Sequence, residues 1–153
     1  MFLECCAKPL LVLHGLVAIV LVGSTTHSGW LAVQALRGRE APLRRMALYC
    51  RVGGVAYLIT FTFGMLIYPV FRVAVRAALL DSQFPLATAF FETKEHWSAI
   101  GLALMTYQFL TTRSLADSAP EDRRFFLWSV VCLMVVVWAS LLIGLSLTAL
   151  EPV

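Results

Sequence analysis

The chain has 153 residues, of which 60% are hydrophobic and only 14% charged, with a formal net charge of +3. A soluble domain is excluded, because its surface needs more charge than this. A nucleic-acid surface is excluded too, because the few arginines sit in loops beside apolar blocks.

The apolar residues come in long runs, the pattern of bilayer-spanning helices rather than of an oily core. The expected fold is all-α: an integral-membrane bundle of four transmembrane helices in up-down order, forming one domain over residues 1–153. The helices are expected at about 9–35, 47–80, 86–112 and 120–150.

The first block contains His14, Ser24, Thr25, Thr26, His27 and Ser28 and no formal charge. Its start shares features with a signal peptide. Only Lys8 precedes it, however, Glu4 falls in the would-be basic region, and the apolar character continues past any small-residue cleavage site. A retained helix is expected. The second block holds Gly53, Gly54, Gly64 and Pro69, then a tail with Arg72 and Arg76 four residues apart on one helical face. Gly53 and Gly54 read as a place of close helix packing. Asp81, Ser82 and Pro85 read as a turn.

The third block is charge-free only over residues 97–110, which is short for a span. A helix beginning near Leu86 is long enough, and it puts Glu92, Lys94 and Glu95 in the headgroup layer or against protein. The fourth block has no charge from Phe125 to Leu150. Ser118 is its expected cap, with Pro120 in the first turn and Glu121 three residues after the cap.

Eight arginines fall in the 37–51 and 113–124 segments, against Lys8, Arg72, Arg76 and Lys94 elsewhere. The 1–2 and 3–4 loops are therefore expected in the cytoplasm. Both termini lie outside a plasma or inner membrane in this reading.

The histidines carry the chemistry. His14 and His27 lie inside the first block and His96 at the mouth of the third, and an ionisable group at membrane depth is costly and usually functional. In an up-down bundle the first and third helices run the same way. With ~1.5 Å rise per residue, His14 lies about 12 Å and His96 about 9 Å outward of their helix midpoints. They share a depth. His27 lies about 20 Å along the helix from His14, so no single iron takes both.

Two histidines at one depth on two helices are what a bis-histidine b-type haem requires. The leading functional expectation is an electron-transfer module with haem b, liganded by His14 and His96. Gly64 and Gly144 would leave room beside the macrocycle, and Phe61, Phe63, Phe91 and Trp97 would line it. Glu92 or Glu95 would fix an imidazole tautomer, and Arg72 and Arg76 would neutralise propionates.

Other readings stand beside it. The histidines can be packing or interfacial residues. A quinone or proton site is a further possibility, and His27 could serve a quinone carbonyl or bond across helices to Tyr107. Arg72, Arg76, Glu92, Lys94 and Glu95 can be an ion-paired collar. The alternative function is a non-catalytic accessory or structural subunit that packs against other membrane subunits or self-associates in the lipid bilayer. The cysteines have no CxxC spacing. Cys50 and Cys132 both sit toward cytoplasmic helix ends, could lie near each other, and are not expected to form a disulfide there. There is no phosphate loop, HExxH helix or Ser-His-Asp set.

Overall fold

A computed structural model describes residues 6–115 and 117–149. Among them there are four long helices and no strand: α1 (Ala7–Leu36), α2 (Leu43–Phe71), α3 (Pro85–Thr111) and α4 (Pro120–Thr148). Beyond Phe71, α2 runs on through a π-helical stretch, Arg72–Leu80, and a last turn, Asp81–Gln83. The wider register begins three residues after Pro69, whose missing N–H interrupts the regular ladder.

Three boundaries differ from the expected ones, each for a local reason. Helix α2 starts at Leu43 rather than 47 because the extended Pro42 offers its carbonyl to the Arg45 and Met46 N–H groups, at 2.9 and 3.1 Å. Arg44 and Arg45 are thus helical. Ser118 does not cap α4; the cap position is Ala119, and the Ser118 hydroxyl donates backward to the Leu115 carbonyl at 2.8 Å. Asp81 and Ser82 remain helical, and the chain turns at Phe84 (φ −135°, ψ 62°).

Helix α1 packs on α2 and α4, and α3 packs on the same two, so α1 and α3 occupy opposite corners. Residues repeat at three- and four-residue steps along each inward face, the spacing that keeps one stripe against its neighbours. On α1 the stripe includes His14, Leu21, Thr25, Ser28 and Ala32. On α3 it runs Lys94, Ser98, Gly101, Met105, Gln108 and Thr112. One core cluster joins Ala32, Met46, Cys50, Phe126 and Val130; a second joins Leu21, Tyr57, Met105, Leu133 and Val137.

Close contacts replace bulk in places. Gly53 stands against Ser24, and Gly54 against Met105 and Phe109. The buried Gln108 amide donates to the Ser129 carbonyl at 3.0 Å, tying α3 to α4. Gln108→Ala is expected to cost about 2 kcal/mol in unfolding free energy, from a lost hydrogen bond plus a cavity. Gln108→Leu, which fills the space, should cost about half that; detergent unfolding curves check both.

Polarity is distributed against the habit of water-soluble bundles. Ser24, Thr25, Ser28, Gln108, Thr112 and Ser129 are buried, whereas Leu11, Val20, Trp30, Leu48 and Leu142 are exposed. Three helical stretches, 7–36, 43–83 and 120–147, are long and apolar enough to cross a membrane. Helix α3 is not among them; Glu92, Lys94 and Glu95 fall in its first half.

Candidate functional site

The site is assembled at one level from all four helices. From α1, the His14 ring reaches α2, where its Nδ1 lies 3.0 Å from the Thr60 carbonyl oxygen. A carbonyl only accepts, so Nδ1 carries the proton and Nε2 is left as an acceptor in the neutral ring. Gly64, one turn along α2, makes room: a Cβ there would stand 3.6 Å from His14 Cε1.

From α3, Lys94 turns inward toward α4. Its Nζ lies 3.5 Å from where a Gly144 Cβ would be, and its charge acts on His14. Among the described residues, Lys94 has no hydrogen bond or ion pair; Glu95 acts on it only through its charge. The Thr60 hydroxyl is buried and has no hydrogen-bond partner among the described residues. Above Lys94 stands an aromatic wall. Phe91 stacks between Tyr68 and Phe71, at centroid separations of 6.1 and 4.8 Å, and the Lys94 ammonium is 6.0 Å from the Phe91 centroid.

This arrangement offers an ammonium with three N–H donors, a hydroxyl, and an imidazole nitrogen able to take or give a proton, beside stacked rings. It suits an acceptor oxygen on a flat apolar molecule. Buried polar groups are normally hydrogen-bonded, so the Thr60 hydroxyl left without a partner next to the His14 contact, with the half-buried Lys94 ammonium also acting on His14, points to a site.

The structure does not bring His14 and His96 together. His96 is exposed, and its Nδ1 turns back to the Glu92 carbonyl of its own helix at 2.7 Å. Two residues from the inward Lys94, it lies about 200° around α3. Helix α1 is at the opposite corner, so the residues present do not fit one iron between these two rings. The spaces at Gly64 and Gly144, expected beside a macrocycle, face the His14 ring and the Lys94 ammonium.

The remaining candidates separate. Arg76 pairs with Glu92 and, at 3.5 Å, with Asp81, joining the extension of α2 to α3. Arg72 is exposed, and the Glu95 carbonyl accepts from the Ser98 hydroxyl at 2.7 Å. His27 does not meet Tyr107. It bonds its own Gly23 carbonyl at 2.7 Å and faces the Tyr49 ring at 5.2 Å, while Tyr107 packs edge-on against Phe125. Cys50 is buried beside Ser28 and Cys132 is exposed, so the two thiols do not form a pair.

Two residues of the site, Lys94 and Thr60, were not expected there. The signal for Lys94 was available, because Ser98, Gly101, Met105, Gln108 and Thr112 continue its stripe at three- and four-residue steps. No protein-family model, curated protein or solved structure matches the chain. No group of three or more His, Cys, Asp or Glu side chains is placed to hold a metal ion among the described residues.

Proposed function

We propose that the chain is an integral-membrane up-down bundle that binds the oxygen end of a lipophilic ring compound, of the quinone class, at His14, Thr60 and Lys94. One observation carries this reading: the Lys94 ammonium lies between the helices and acts on His14, with no hydrogen bond or ion pair among the described residues, Glu95 acting on it only through its charge. A cation at the centre of a bilayer costs about 2.5–3.5 kcal/mol and one nearer the headgroups less, and such a group persists where it serves a ligand or an ion path. The exposed apolar faces supply the support for the bilayer. In this placement both termini and the Arg76–Glu92 collar lie outside, and the arginine-rich loops lie in the cytoplasm.

A quinone carbonyl would accept from the Lys94 ammonium and the Thr60 hydroxyl, with its ring along Phe91. His14 Nε2 would stand ready to exchange a proton with the bound oxygen. The chain would serve as the quinone-holding subunit beside a partner that handles electrons.

The test is titration of detergent-solubilised protein with a short-chain quinone, followed by tryptophan quenching. Saturable quenching is expected, weakened about tenfold or more in Lys94→Met, since hydrogen bonds to charged groups are the strong ones. Equal affinity in the variant overturns the reading. An absorption spectrum of the same preparation, made with ample haem, is expected to lack a Soret band. A Soret band abolished by both His14→Ala and His96→Ala would instead establish the bis-histidine haem.

A further inference from the structure

At the opposite end of the bundle, a groove of about 620 Å³ lies between the first turns of α2 and the end of α3. Arg44, Arg45 and Arg51 form one wall and Arg113 stands on the other. All four are exposed, and among the described residues none is paired with a carboxylate. Arg51 Nε donates to the Thr112 hydroxyl at 3.3 Å, which fixes one guanidinium across the groove. Four cations held this close repel one another unless an anion lies between them. Guanidinium groups match a phosphate two bonds at a time.

The backbone adds to this field. Leu43 and Arg44, the first residues of α2, line the groove, and Pro42 supplies no side-chain cap to that helix start. The positive end of the helix dipole therefore points the same way as the arginines.

Below the arginines the same face of α2 turns apolar. Leu48, Val52, Val55 and Ile59 follow Arg44 at three- and four-residue steps and are 58%, 40%, 53% and 38% exposed. A soluble anion makes no use of such a strip, but an acyl chain covers it. We infer that the groove binds the phosphate group of an anionic phospholipid, with the acyl chains along the Leu48–Ile59 face. The inference rests on the bilayer placement above and not on the His14–Lys94 site.

The experiment exchanges the purified protein against phosphatidylcholine vesicles with or without phosphatidylglycerol, then counts retained lipid by native mass spectrometry. The wild-type chain is expected to retain phosphatidylglycerol selectively. Arg44→Gln with Arg51→Gln should lower retention roughly thirtyfold, and Arg113→Gln on the other wall about fivefold. Arg37→Gln with Arg39→Gln removes the same charge from the adjoining connection between α1 and α2, outside the groove, and should leave retention unchanged. Circular dichroism should show equal helix content in all variants.

Equal losses in the two double variants would reduce the effect to general surface charge and overturn the site. Displacement of the lipid by equimolar inorganic phosphate would assign the groove to a soluble phosphate and overturn the lipid. A wild-type chain that floats with phosphatidylcholine vesicles yet retains no phosphatidylglycerol overturns this inference alone. One that does not float with any vesicle overturns the bilayer placement and the inference together.

Discussion

Lys94→Met is expected to stabilise the bundle by about 1 kcal/mol while it removes the ligand affinity. The methionine keeps the unbranched stem that lies near Phe91 and deletes an ammonium that has no hydrogen bond or ion pair among the described residues. What is lost is a desolvated charge; what is kept is volume. Unfolding in mixed detergent micelles gives the stability, and the quinone titration gives the affinity. A destabilisation of about 1 kcal/mol or more would mean that the ammonium has a structural bond holding α3 to α4. The quinone site would then lose its main support.

Gly101→Ala is expected to cost about 2–3 kcal/mol, far more than one methyl group normally would. A Cβ at Gly101 would fall on the Tyr57 hydroxyl and ring. Tyr57 cannot step aside freely, because its hydroxyl donates to the Ser98 carbonyl at 2.7 Å. Overlap and a broken interhelical bond therefore add. The contrast is Gly29→Ala, where the new Cβ would meet the Met134 thioether. The thioether repacks readily but Met134 Cβ, at 3.0 Å, does not, and an intermediate cost of about 1–2 kcal/mol is expected. In a double-mutant cycle, Gly101→Ala in a Tyr57→Phe background should recover about 1 kcal/mol, because the worst contact is gone. Additive costs would show that the glycine serves backbone conformation and not the space beside Tyr57.

The helices were legible in the sequence because apolar block length and proline position are local signals. The Pro120 start of α4 and the reach of α2 past Arg76 came from the same kind of reading. Height along the helix was legible as well: Lys94, two residues from the His96 expected at the level of His14, lies close enough for its charge to act on that ring. The angle around the axis was not. His96 and Lys94 differ by two residues, so their depths nearly agree while their directions are almost opposite. Cys50 and Cys132 separate for the same reason, one inward and one outward. In a soluble bundle the polar side tells which face is out. Here the outward faces are as apolar as the core, so only the small and polar stripe through Ser98, Gly101 and Gln108 marks the inside. Arg44 and Arg45 looked like loop because they are charged, yet Pro42 starts a helix ahead of them.

The hydroxyls of α1 close their bonds within their own helix. Ser24 and Thr25 donate to Leu21, Thr26 to Val22, and Ser28 to Thr25. On α3, by contrast, the Gln108 amide donates to the Ser129 carbonyl of α4, and the Ser98 carbonyl accepts a hydrogen bond from the Tyr57 hydroxyl of α2. In the bilayer placement proposed above, the hydroxyls of α1 therefore wait for no neighbour, whereas its His14 needs the Thr60 carbonyl of α2. Helix α3 would be completed only by α4 and α2, so in that placement the hydroxyls settle each helix by itself while His14, Gln108 and Tyr57 set which neighbours must be present before the bundle closes.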